Sequence, residues 1–176
     1  KCFLQSQLNR LAPFGIPVVV ALGNHDEGSA YVSGKHIYTF GSAVETIEVE
    51  TRNGERVAFS GFSYEVPVVA TRKVQEYPTK SVNCDIHIGV LHGELTTSQG
   101  RYAPFSIPEL REKGYDYWAL GHIHTCQEVS SQPCAWYSGT TQGADRKESG
   151  PKGALLVEIT PGDTPVVHLI ETNTME

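Results

Sequence analysis

The chain has 176 residues, with fourteen Lys and Arg against twenty Asp and Glu for a net charge of −6. That length suits one domain with a sizeable core and is short for two. No run approaches eighteen apolar residues and the start, Lys1-Cys2-Phe3-Leu4, leads into polar Gln5-Ser6-Gln7, so neither a membrane span nor a secretory signal is expected. The acidic balance gives no sign of the basic surface that usually marks nucleic-acid binders, although a metal site would supply positive charge of its own. Cys2, Cys84, Cys126 and Cys134 fit no zinc spacing and include no Cys-x-x-Cys pair. In a core-sized domain they read as free thiols, which implies a reducing, cytoplasmic location.

In chain order, Phe3, Leu4, Leu8, Leu11 and Ala12 recur near helical spacing, and Pro13 with Gly15 stops the pattern. Pro17 to Leu22 is a β-branched apolar run expected to be buried on both faces, as in a parallel sheet under helices. Residues 27–36 are polar and Gly-rich, a loop. Hairpin-like strands follow at Ile37–Phe40, Val44–Thr51 and Val57–Tyr64, the last two joined by a turn at Asn53-Gly54. Val69 to Tyr77 reads as a helical turn or two, ended by Pro78. Asp85–Leu91 is a second buried strand and residues 93–105 a polar loop. A helix capped by Ser106 runs to Lys113 and closes at Gly114. Tyr115–Leu120 is a third buried strand, and strands follow at Gln127–Ser130, Ala135–Ser138, Ala154–Thr160 and Val166–Glu171. Buried strands mixed with helices indicate a layered α/β or α+β arrangement.

The three buried strands end alike. The first runs into Gly23-Asn24-His25-Asp26, the second into His92-Gly93-Glu94 and the third into Gly121-His122-Ile123-His124. In extended backbone, residues i and i+2 point to one side, so His122 and His124 can face a common site, and the preceding glycine leaves room for a close approach. Ligands of open α/β sheets gather beyond the carboxyl ends of the strands. Gly-Asn alone is a common turn dipeptide, but a turn does not require the His-Asp that follows. Asn24 offers an amide oxygen, His92, His122 and His124 offer imidazoles, and mixed N/O donors favour Mn, Zn or Fe over Mg or Ca. His25 beside Asp26 suits a proton donor, with the carboxylate holding the imidazolium. His87, inside the second strand, reads as core or as support for the site, and His36 and His168 sit in ordinary contexts.

Gly-Asn-His-Asp at 23–26, His-Gly at 92–93 and Gly-His-Ile-His at 121–124, in that order, resemble the last three motifs of the calcineurin-like metallophosphoesterases. Tyr137 to Gly143, Arg146 and Gly150 to Val157 are similar to the SbcD-type DNA-repair exonucleases within that superfamily. The resemblance implies an α/β layered sandwich of two mixed sheets flanked by helices. It implies that Asn24, His92 and His122 bind one ion and His124 a second. It implies also that His25 is the proton donor, that Asp26 orients it, and that the ions are manganese. Two-metal hydrolysis of a phosphodiester is the implied chemistry. The partners it implies are DNA and an SMC-like ATPase subunit; Arg146, with Lys147 and Lys152, offers charge for phosphate contacts.

The sequence departs from that pattern at its start. The family's Asp-x-His and bridging Gly-Asp have no counterpart before Gly23, because residues 1–22 contain no Asp, Glu or His. The expectation is therefore a fold without its first strand–helix unit and a chain impaired as a two-metal enzyme on its own. A single ion would sit on the His122 side. An uncovered sheet edge would favour a homodimer. Two alternatives stay open: a non-catalytic binding subunit for an SMC-like ATPase, and a phosphoesterase for small molecules or phosphoproteins.

Overall fold

A computed structural model describes residues 2–26, 32–143 and 148–172. Its elements run α1 (Cys2–Asn9), β1 (Val18–Val20), β2 (Ile37–Thr39), β3 (Glu45–Glu50), β4 (Arg56–Gly61), β5 (Ile86–His92), α2 (Ile107–Lys113), β6 (Tyr117–Gly121), β7 (Gln127–Ser131), β8 (Cys134–Tyr137), β9 (Gly153–Glu158) and β10 (Val166–Glu171), with short 3-10 turns at Ala12–Phe14 and Lys73–Glu76. The expected α/β class is what forms.

The apolar runs at β4, β5, β6 and β8 pair in parallel, and antiparallel β3 and β7 close the edges of a six-stranded sheet of order β3-β4-β5-β6-β8-β7. Side chains alternate across it. Leu91, Trp118, Leu120, Ala135 and Tyr137 go to one face and are buried with Phe62, Tyr64, Val74, Tyr77, Phe105, Leu110 and Tyr115. Gly89 permits this packing, since a Cβ there would lie 2.3 Å from Trp118 Cε3. Polar tips of the aromatic side chains are used as well: the Tyr77 hydroxyl donates to the Val90 carbonyl at 2.7 Å and the Tyr137 hydroxyl to the Gly93 carbonyl at 2.8 Å. α2 forms where the caps require it. Ser106 donates its backbone N–H to Glu109 at 2.8 Å, and Gly114 closes the helix at φ +71°. Arg72 also grips Glu109, and that hydrogen bond is the main cause of a carboxyl pKa held down at about 2.

The opposite face differs from expectation. Val90, Ala119 and Trp136, in register across β5, β6 and β8, are only half-buried. The second layer consists of two separate two-stranded pieces, parallel β1–β2 and antiparallel β9–β10, rather than one continuous mixed sheet. A cavity of about 490 Å³ lies among β1, β9 and that face, reaching from Trp136 to His92. Val18–Val20 are therefore half-buried and not enclosed on both faces. β2 pairs in parallel with β1 and forms no hairpin with β3; the Asn53-Gly54 hairpin joins β3 and β4 as expected. Between Val69 and Tyr77 only a 3-10 turn forms, and Val69 bridges to Tyr102 instead. Helices are few, because the long connections are loops pinned by such bridges. Among the described residues no helix is long and apolar enough to cross a membrane. Cys84, Cys126 and Cys134 are free thiols.

Candidate metal centre

Three strand ends meet at one edge of the sheets. The turn after β1 is held by its own residues: the Gly23 N–H donates to Asp26 Oδ2 at 2.8 Å, and the Asp26 N–H to the Gly23 carbonyl at 3.0 Å. The same segment is tied to β4's extension, where Ser63 Oγ accepts from the Leu22 N–H and the Tyr64 N–H donates to the Leu22 carbonyl, both at 3.0 Å. This turn buries Asn24 and leaves His25 and Asp26 exposed. The ends of β5 and β6 are joined by the Gly93 N–H on the Gly121 carbonyl at 3.1 Å.

His92 stands at the centre. Its Nε2 lies 2.8 Å from Asn24 Oδ1, and its ring lies edge-on to His122 at 5.3 Å and to Tyr64 at 5.4 Å. Glycines make that approach possible. A Cβ at Gly23 would lie 2.4 Å from His92 Cε1, and one at Gly121 would lie 3.1 Å from His92 Nδ1. His122 rests against Tyr102 at 4.8 Å. Its backbone is at φ +105°, a conformation that non-glycine residues rarely adopt and that costs about 1–3 kcal/mol. Such strain is characteristic of functional sites. It also corrects the extended-backbone reading of His122 and His124, because β6 ends at Gly121 and the chain turns at the first histidine.

Burial is the largest influence on both inner imidazoles. It pushes His92 down to about 4, assisted by His122, His25 and His124 and opposed by Asp26. His122 is lowered by burial and by His124 and His25, against Glu94. Both rings stay neutral at physiological pH, the form that offers a lone pair to a metal.

The outer residues are arranged differently. His124 is exposed, its Nδ1 paired with Glu148 and its carbonyl accepting from Lys152 Nζ at 3.0 Å. His25 lies near enough to influence His92 and His122 electrostatically. Among the described residues no hydrogen bond joins it to Asp26, whose carboxylate holds the turn instead. Lys152 is 4% exposed and so is not a solvent-facing phosphate contact. Arg146 and Lys147 lie outside the described residues. His168 is on β10 beside Glu158 at 3.7 Å, His36 precedes β2, and neither joins the cluster.

The donor set fits one ion better than two. Asn24 Oδ1 and His92 Nε2 are 2.8 Å apart, close to the separation of about 3 Å between adjacent ligands on an ion with bonds near 2.1 Å. Yet among the described residues no three His, Cys, Asp or Glu side chains converge as a ready-made metal centre. Sequence reasoning missed Tyr64, Tyr102 and Glu148. The first belongs to the aromatic core, and the other two sit in loops with no periodic signal.

The α/β sandwich thus gathers two neutral histidines and a buried asparagine at its strand ends, and the family it belongs to is one of metal-dependent hydrolases. The chain belongs to the calcineurin-like phosphoesterase family, whose profile matches residues 2–126. That family uses divalent metal ions. A relative named "Uncharacterized metallophosphoesterase YhaO", from Bacillus subtilis (strain 168), is 40% identical over 169 residues, covering 92% of this chain and 41% of the relative. The chain thus spans less than half the length of that protein.

Proposed function

We propose that the cluster is the reaction centre of a phosphodiesterase acting on DNA, in the manner of an exonuclease or endonuclease subunit of DNA repair. The observation that carries this is the meeting of Asn24, His92 and His122 in a family of metal-dependent phosphoesterases. Asn24, His92 and His122 would hold one divalent ion, with manganese proposed, and His124 would face a second position. Bound divalent ions supply Lewis acidity and lower the pKa of coordinated water. The chain's own contribution is orientation and proton transfer. Tyr137 and Gly121 fix the His92 turn through the backbone of Gly93. Asp26 fixes the turn that presents Asn24 and His25, leaving His25 exposed to donate a proton to the leaving alkoxide.

The inner donors are all neutral, and among the described residues no three His, Cys, Asp or Glu side chains converge to hold an ion. That favours slow turnover by this chain and keeps a second reading, a binding subunit for an SMC-like ATPase. Association of two copies is supported by open strand edges, since among the described residues β1 pairs only with β2 and β9 only with β10, and by exposed Phe3, Phe14 and Leu156. Manganese-dependent cleavage of linear duplex DNA tests the proposal, with bis(p-nitrophenyl) phosphate and a phosphopeptide in parallel. Degradation of the duplex supports the nuclease. Hydrolysis of the small diester or phosphopeptide alone would favour a small-molecule or phosphoprotein phosphoesterase. No hydrolysis with manganese demonstrably bound would favour the binding subunit.

A further inference from the structure

His124 is held from both of its ends. Its ring Nδ1 meets the carboxylate of Glu148, and its main-chain carbonyl accepts from Lys152 Nζ at 3.0 Å. Lys152 is 4% exposed, an unusual place for an ammonium, whose burial is costly unless it is hydrogen-bonded. Its own backbone is anchored, because the Thr172 N–H donates to the Lys152 carbonyl at 2.9 Å. The neighbouring chain presses on the same turn. Gly139, at φ +72°, lies so close that a Cβ there would come within 2.8 Å of the Cys126 nitrogen and 3.0 Å of the His124 carbonyl oxygen. The Gly153 N–H on the Thr140 carbonyl, at 3.0 Å, locks that loop to the start of β9.

An ionised carboxylate only accepts, so Nδ1 must carry the ring proton. In a neutral imidazole the lone pair is then on Nε2, the free side of this exposed ring. We propose that Glu148 and Lys152 are positioning residues that present His124 as its Nδ1–H tautomer, Glu148 setting the tautomer and Lys152 fixing the backbone that carries the ring. A carboxylate behind a metal-binding imidazole is the arrangement that orients it and raises its basicity. The functional meaning rests on the reading of His124 as a group facing the phosphoester centre; the tautomer does not.

The test is a two-bond ¹H–¹⁵N correlation spectrum of the whole chain labelled at histidine, recorded above the imidazole titration range, with His124→Asn used for assignment. The expected wild-type pattern has Nδ1 protonated and Nε2 bare. Glu148→Ala is expected to populate the opposite tautomer, and Glu148→Gln, whose amide oxygen still accepts, to restore the first. Lys152→Met is expected to keep the tautomer and to speed amide exchange at Thr125 and Cys126. Unchanged His87 signals report an intact core in each variant. Addition of Mn²⁺ is expected to broaden His124 at roughly tenfold higher concentration in Glu148→Ala than in wild type. An Nε2–H tautomer in the wild type, or an unaltered tautomer in folded Glu148→Ala, overturns the proposal. Absence of Mn²⁺ broadening at His124 in the wild type would instead count against the functional reading and leave the tautomer result standing.

Discussion

Two imidazoles on the same strand are pushed down to about 4 mainly by burial, and they have different meanings. His87 sits near the start of β5, 1% exposed, hydrogen-bonded to Ser60 Oγ at 2.8 Å and stacked on Tyr115 at 3.8 Å. His92 closes β5 on the opposite face, half-buried, with Asn24, His122 and Tyr64 around it. A depressed pKa therefore identifies a buried histidine and does not by itself identify a site. The neighbours decide. A hydroxyl on Nε2 and a stacked phenol ring hold His87 in the core, with its Nδ1 left unpartnered, whereas a buried amide oxygen and a second imidazole give His92 the company of a ligand.

The sharpest way to break this comparison is to remove each ring in turn. His92→Ala is expected to reduce manganese-dependent phosphoester hydrolysis by at least about 100-fold, with little loss of stability, measured by steady-state rates and thermal melting. Equal activity in the variant would remove His92 from the site. His87→Ala should do the reverse, leaving the rate per folded molecule intact while lowering stability by about 2 kcal/mol in urea titration.

The shared shift gives a pH prediction. In the unfolded chain both groups take up protons near 6.5, while in the folded chain they resist until about 4. Stability is full above pH 6.5 and falls as the pH drops through that window toward 4, by on the order of 2–3 kcal/mol for the fully buried His87. In His87→Leu the fall should shrink by about that amount. A pH profile identical to wild type would contradict the assignment of His87 as a neutral core residue.

The smallest effect sharpens the strained end of the comparison. His122→Gly removes an imidazole and relieves φ +105°, so the melting temperature should be unchanged or higher, by up to about 1 kcal/mol of stability. Metal binding should weaken in the same variant. A large destabilisation would mean that His122 is held there for packing against Tyr102.

The positions of β3 to β10 and α2 were legible because their signals are local: apolar runs, an Asn-Gly turn, and a serine cap with glycine closure. The meeting of Asn24, His92 and His122 was legible for another reason, since three apolar strands delivered polar donors at the same end. What was not legible depends on distant partners. Val18–Val20 read as an enclosed strand, yet burial depends on what lies across the sheet, and here that is a cavity. Ile37–Thr39 read as part of a hairpin, and only its pairing with β1 reveals a parallel bridge. Glu148 and Tyr102 reach the histidines from loops, where sequence spacing carries no information about direction.

The central claim is that Asn24, His92 and His122 share one divalent ion. It is tested most directly by counting Mn²⁺ bound per chain, using electron paramagnetic resonance of the free ion during titration. The account predicts a site filled in the wild type, kept in His87→Leu, and lost in both His92→Ala and His122→Gly. Manganese binding that survives both substitutions would contradict it.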